Sequence, residues 1–215
     1  MIKHQKTQTL DKSQEAGYTI IESLVAMIVV SVLMIAIAPV MAFSVATRVQ
    51  AKRIEMATQA AKTYIEALRS EALKPGIGFP TQYTTNNKLE DTAAPKNTDI
   101  DLLYCIDKDG DGDGCKKDSN QDLLVQGYYF NNSPATKDPT RTGYSLIVRV
   151  YRAAAFKDGG TLTTQNLLKA QQGVTTAGLG NIKAPLVEIR TEIGATDRQG
   201  AYNSFCDRIP DGCKQ

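Results

Sequence analysis

The sequence predicts an α+β fold in which one long N-terminal helix packs on an antiparallel sheet of three or more strands. Three observations predict it. From Ser23 to Thr47 there are 25 consecutive residues without Asp, Glu, Lys, Arg or His. Beyond them apolar residues recur at helical spacing, and later the chain carries three strand-like runs. The 215 residues are 42% hydrophobic and 22% charged, the composition of a folded chain. A mean hydropathy of −0.27 conceals the single apolar segment. Lys+Arg 25 against Asp+Glu 23 gives a net charge of +2, too small for a protein that wraps nucleic acid, so no nucleic-acid partner is expected.

Residues 1–17 (MIKHQKTQTLDKSQEAG) are polar and mildly basic and read as a leader peptide. Residues 18–44 form an apolar segment that exceeds the ~20 residues a helix needs to cross a bilayer. A secretory signal cut after Val40-Met41-Ala42 is the competing reading, but its apolar region would run to only about 7–15 residues and would not enclose Glu22. Residues 45–73 are expected as an amphipathic continuation of the same helix. Ile54, Ala57, Ala61, Tyr64, Ile65, Leu68 and Ala72 share one face, with Lys52, Arg53, Glu55, Lys62, Glu66 and Arg69 around the rest. Pro39 is the one proline between Tyr18 and Leu73 and no glycine interrupts, so the spacing predicts one helix of ~56 residues, ended by Lys74-Pro75-Gly76.

The second half of such a helix needs a partner, which residues 74–215 supply as a globular β domain. Leu123–Phe130, Tyr144–Tyr151 and Pro185–Ile193 are the expected strands. Residues 75–100 and 157–183 read as long surface loops, the second with a short helix over Gln165–Gln171. Positive charge does not orient the anchor: Lys3, Lys6 and Lys12 precede it, while Arg48, Lys52 and Arg53 follow it.

Four cysteines occur as two close pairs, Cys105/Cys115 and Cys206/Cys213, for which the sequence leaves three connectivities open. A zinc site is not expected, because the only histidine, His4, lies in the leader. Disulfides imply an oxidising compartment, so the C-terminal domain is expected outside the cytoplasm. Asp107, Asp109, Asp111, Asp113 and Asp118 follow D-x-D-x-D-G-x5-acid, the spacing of a calcium loop in which alternate side-chain oxygens and a closing carboxylate surround the ion. Position twelve is Asp118 rather than Glu and position nine is Cys115; a solvated Asp/Gly turn is the alternative.

Gly17-Tyr18-Thr19-Ile20-Ile21-Glu22, followed by the apolar helix with Pro39, resembles the N-terminal signature of type IV prepilins and type II secretion pseudopilins. The resemblance implies a pilin-like fold and cleavage by a prepilin peptidase between Gly17 and Tyr18. It also implies N-methylation of Tyr18, and an assembly role for Glu22 and Pro39. The implied partners are other pilins or pseudopilins, an inner-membrane assembly platform and the membrane itself. The implied location is a single-pass inner-membrane protein with its C-terminal domain periplasmic or extracellular. A Cys206–Cys213 bridge would correspond to the C-terminal loop of many type IV pilins, and calcium in some pseudopilins parallels the aspartate loop. The whole chain, with VATRVQAKRIEMATQAAKTYIEALRSEA after the anchor, looks most similar to pseudopilins of hormogonium polysaccharide secretion in filamentous cyanobacteria, which implies polysaccharide export and motility.

A carboxylate inside an apolar helix costs about 2.5–3.5 kcal/mol at the bilayer centre, so Glu22 asks for a cation. Cleavage before Tyr18 would create one, the new α-ammonium, which a staggered neighbouring subunit can present. Alone, Glu22 would read as a carboxylate reaching the interface. After cleavage no histidine is left in the chain, so Ser-His, Cys-His and His-metal catalysis are not expected. Glu188 and Glu192 fall on one strand face, where carboxylates are usually solvated, and the chain is read as a structural subunit and not an enzyme. The alternative function is a membrane-tethered, calcium-dependent binding module or adhesin that does not assemble.

Overall fold

A computed structural model describes residues 19–84, 88–131, 143–164, 181–196, 198–206 and 213. The elements in order are α1 (Ile20–Arg69), β1 (Thr81–Gln82), β2 (Tyr104–Ile106), β3 (Leu123–Asn131), β4 (Tyr144–Arg152), β5 (Val187–Ile193) and α2 (Arg198–Cys206), with short 3-10 turns at Leu89–Asp91, Asp99–Leu102 and Ala153–Phe156. The chain divides into two compact units, Met1–Ser44 and Val45–Gln215.

In the first unit α1 exposes its apolar side chains on all sides: Met27 is 71% and Ile35 75% exposed. Its few polar groups turn inward, the Ser23 hydroxyl donating to the Ile20 carbonyl at 2.8 Å and the Ser31 hydroxyl to that of Met27 at 2.7 Å. Hydroxyls bonded to their own helix leave an apolar exterior.

In the second unit the expected stripe is the one that packs. Ala57, Ala61, Tyr64, Ile65 and Leu68 are buried, joined by Ala60 and Gln50, which the apolar period did not single out. They pack against Leu123 and Val125 of β3, Tyr144, Leu146, Val148 and Val150 of β4, and Ile193 of β5. The sheet order is β1-β3-β4-β5, with β2 also paired to β3. β2 lies antiparallel along Leu123–Val125, whereas β1 lies parallel at Tyr128 and Tyr129, so the sheet is mixed rather than purely antiparallel. β4 sits between its antiparallel neighbours, with Val148 opposite Gly127 on one side and Ile189 on the other.

α1 ends at Arg69, four residues before the expected limit, so Ala72 is exposed and outside it. Glu71 takes a left-handed conformation (φ 56°), the Glu71 N–H donates to the Leu68 carbonyl, and the Leu73 N–H reaches back to that of Ala67 at 3.1 Å. This satisfies carbonyls the last turn would leave open, and it turns Leu73 onto the core before Pro75 is reached. Residues 75–100, expected as a surface loop, hold β1 and a 3-10 turn and bury Leu89, Thr92 and Pro95. The helix expected over Gln165–Gln171 lies outside the described residues.

Tyr64 fixes helix and sheet together. It is fully buried, its hydroxyl donates to the Gly78 carbonyl at 2.9 Å, and its ring sits 5.3 Å from that of Tyr104. Burial pushes its phenol far above the ordinary tyrosine range. A Cβ at Gly127 would meet the Tyr64 hydroxyl at 2.5 Å and the Pro80 side chain at 2.9 Å, which explains glycine in the middle of a strand. Gly127→Ala is therefore expected to destabilise the C-terminal unit by about 1–3 kcal/mol through overpacking, read as a lower midpoint in urea with an unchanged slope.

Candidate functional site

Gly17 and Tyr18 lie outside the described residues. From Thr19 onward the entry to α1 is defined. The Thr19 carbonyl accepts the Glu22 and Ser23 N–H groups, and its hydroxyl oxygen lies 3.4 Å from the Glu22 N–H. Thr19 thus caps the helix, and Glu22 stands at its third position, where a carboxylate is favoured by the helix dipole. The T-x-x-E spacing of a capping box carried this signal. Pro39 lies inside α1 without ending it, and its missing N–H leaves the Ile35 carbonyl without its usual helical donor.

The second candidate is the loop between β2 and β3. Cys105 is bonded to Cys115, and Cys206 to Cys213. Within the first bridge, Gly110, Gly112 and Gly114 all have φ near +75° (74°, 78° and 77°), a conformation that lets every second residue aim its carboxylate at a following N–H. Asp107 accepts from the Gly110 N–H at 2.9 Å and the Gly112 N–H at 3.3 Å. Asp109 accepts from the Asp111 N–H and from the Ser119 hydroxyl, the latter at 2.8 Å.

The five predicted ligands separate. Asp107 and Asp109 come together with Asp122, their carboxylate oxygens all within 4.8 Å of one another. Asp111 and Asp113 instead share the Lys116 ammonium, at 2.6 and 2.9 Å. Asp118 is exposed and is not in the group of three. Asp122 was missed because it lies fifteen residues after Asp107, beyond a twelve-residue loop template. It is fully buried and accepts the backbone N–H groups of Lys108 and Lys116, so it clamps both ends of the loop. Three hard carboxylate oxygen donors fit a calcium ion by chemistry, with Asp107, Asp109 and Asp122 the residues that would hold it.

Lys116 holds the Asp111 carboxyl below the usual aspartate range through its hydrogen bond, helped by the Asp113 N–H, and the same two carboxylates push Lys116 upward. Because the folded pKa of Asp111 is depressed, whatever it contributes is present above the unfolded value and fades as pH falls through the folded one. Carbon-detected NMR titration should place Asp111 below 3.8. Lys116→Gln should bring it back up toward that ordinary value, and an unmoved Asp111 would show that the lysine is not the cause.

The pair Glu188/Glu192 turns out to be unlike in its surroundings. Glu192 is exposed, but Glu188 is buried and bonded by the Arg149 Nε at 2.8 Å, correcting the expectation of a solvated face. Arg149 is only 1% exposed, and its remaining donors reach the carbonyls of Thr92 at 2.9 Å and Glu90 at 3.3 Å. Arg190 extends the group to the Glu90 carboxylate at 3.2 Å. Every donor is directed at a backbone carbonyl or a carboxylate, which makes this a structural pin and not a reactive pair.

The chain matches the prokaryotic N-terminal methylation motif over residues 12–38. No curated protein and no solved structure matches it. The matched residues contain Gly17, Tyr18 and Glu22 and much of the exposed apolar half of α1. Together with a long N-terminal helix packed on a sheet, the motif supports a type IV pilin-like protein, a structural subunit processed by a prepilin peptidase and assembled with other pilins.

Proposed function

We propose that prepilin peptidase cuts the chain between Gly17 and Tyr18, that Tyr18 is N-methylated, and that the mature subunit waits in the inner membrane until it joins a filament. The methylation motif over residues 12–38 carries this reading. The charge-free run from Ser23 to Thr47 supplies the membrane anchor, and the two disulfides favour a C-terminal unit outside the cytoplasm. On assembly, Glu22 meets the methylated ammonium of a neighbouring subunit, so that two charges costly in an apolar filament core neutralise each other and set the stagger. Pro39 loosens the helix where subunits pack. The filament would serve polysaccharide export and gliding motility and work with an inner-membrane assembly platform, a reading that the chain's resemblance to hormogonium pseudopilins supports.

Mass spectrometry of the mature N-terminus tests the processing: a chain beginning at N-methyl-Tyr18 is expected, and retention of Met1 or a start at Phe43 overturns it. Glu22→Val should leave membrane insertion intact while filament incorporation falls at least tenfold. Normal incorporation of that variant would remove the ammonium pairing, whereas a parent chain that never enters a filament would favour a tethered, calcium-dependent adhesin.

We assign calcium to Asp107, Asp109 and Asp122, whose carboxylate oxygens lie within 4.8 Å of one another where the loop between β2 and β3 closes. When bound it would neutralise carboxylates that otherwise rely on backbone N–H groups and the Ser119 hydroxyl, and would stiffen the loop. Calorimetry with calcium on the full chain should show heat that Asp107→Ala removes, and no heat in the parent chain overturns the assignment.

A further inference from the structure

Removal of the leader takes Lys3, Lys6 and Lys12 with it, so the basic residues flanking the anchor are then Arg48, Lys52 and Arg53, all on its C-terminal side. Three cations at the edge of an apolar segment call for a physical partner. Arg48 and Lys52 stand one turn apart and exposed, and Arg53 is half-buried beside them. None of the three makes an ion pair among the described residues. Arg152, at the end of β4, lies close enough to Arg53 for the two charges to repel, which adds to the local positive field. Gln50, buried in the same stretch of α1, brings no negative charge to it.

Position along the helix identifies the anion. Arg48 is the first charged residue after the charge-free run Ser23–Thr47, whose 25 residues amount to about 38 Å of helix at 1.5 Å per residue. A hydrocarbon core is about 30 Å thick, and about 40–45 Å with both headgroup layers. A run of that length fills the hydrocarbon core, so the first charges after it, Arg48 and then Lys52 and Arg53, fall at the headgroups. Besides Glu55, which forms no ion pair with them among the described residues, the negative groups at that depth are lipid phosphates.

We propose that Arg48, Lys52 and Arg53 form a collar that binds the headgroups of anionic phospholipids in the outer leaflet of the inner membrane. This rests on the reading of α1 as a membrane anchor with the C-terminal unit outside the cytoplasm. The collar holds the unassembled subunit at a fixed depth and resists its sinking or early extraction, and entry into a filament exchanges these lipid contacts for subunit contacts. Each cation near an anionic surface contributes a factor of roughly five to the preference.

The test uses the full chain, processed and placed in nanodiscs of phosphatidylcholine and phosphatidylglycerol in equal parts, with retained lipids identified by native mass spectrometry. The parent chain is expected to retain phosphatidylglycerol at least fivefold over phosphatidylcholine. Arg48→Gln, Lys52→Gln and Arg53→Gln together should abolish the preference, and Arg48→Lys should preserve it, because the interaction reads charge. Equal retention of the two lipids by the parent chain overturns the proposal. So does a glutamine variant that keeps the preference but no longer cross-links to a second copy, since the cations would then serve a neighbouring subunit. Alkaline carbonate extraction separates the two levels: release of the parent chain removes the anchor and the collar together, whereas a carbonate-resistant chain without lipid preference loses the collar alone.

Discussion

Where α1 packs on the sheet, alanines at 57, 60 and 61 leave room for the sheet's larger side chains, and Tyr64 then reaches beside Gly127 to bond the Gly78 carbonyl. That contact ties three stretches of chain at once: the helix, the central strand β3 and the segment returning from the helix end. Its geometry depends on an absent Cβ at 127 and on the left-handed turn at Glu71 that brings the chain back. The burial of Leu73 and the placing of β1 against β3 follow from the same return. A close-packed seam of this kind tolerates little change in volume, so small residues are as necessary to it as large ones.

The opposite face of the sheet is organised differently. Leu124, Tyr151 and Phe156 form a second small core, and beside it the Arg149–Glu188 pair is buried where an alternating strand would meet water. A buried pair adds little net stability, but losing either partner is expensive, so its value lies in position. Arg149 holds the carbonyls of Glu90, Thr92 and Ala93 and so lays the strap over the sheet. Asp122 plays the corresponding part at the start of β3, where its two backbone bonds close the base of the aspartate loop. Both are charged side chains spent on backbone groups, the usual remedy where irregular chain is buried without a ladder.

One helix thus serves two surroundings with two residue patterns. Residues in the first unit are apolar all round and expose that surface; those in the second carry a stripe and bury it. An apolar exterior with serines turned onto their own backbone suits lipid or the apolar flank of another such helix, whereas a stripe suits one sheet. The methylation motif falls entirely on the first of these and on the residues leading into it.

The long helix, its change of character and the three main strands were legible in the sequence because they rest on local periodicity, which survives without knowledge of the fold. So was the methylation-motif segment, since Gly17, Glu22 and the apolar run are fixed by spacing along the chain. The two-residue β1 and the early end of α1 were not, because the first is set by its pairing with β3 and the second by a backbone turn and not by its own pattern. The same division runs through the aspartate loop. Spacing singled out Asp107 and Asp109, but only folding brought in Asp122 and handed Asp111 and Asp113 to Lys116. Sequence by itself determined which segments are apolar, where the charges stand and which residues recur at helical or strand spacing. Tertiary structure decided which polar groups are buried and with whom they pair, because burial is a property of what covers a residue, and the covering segments lie far away in the chain.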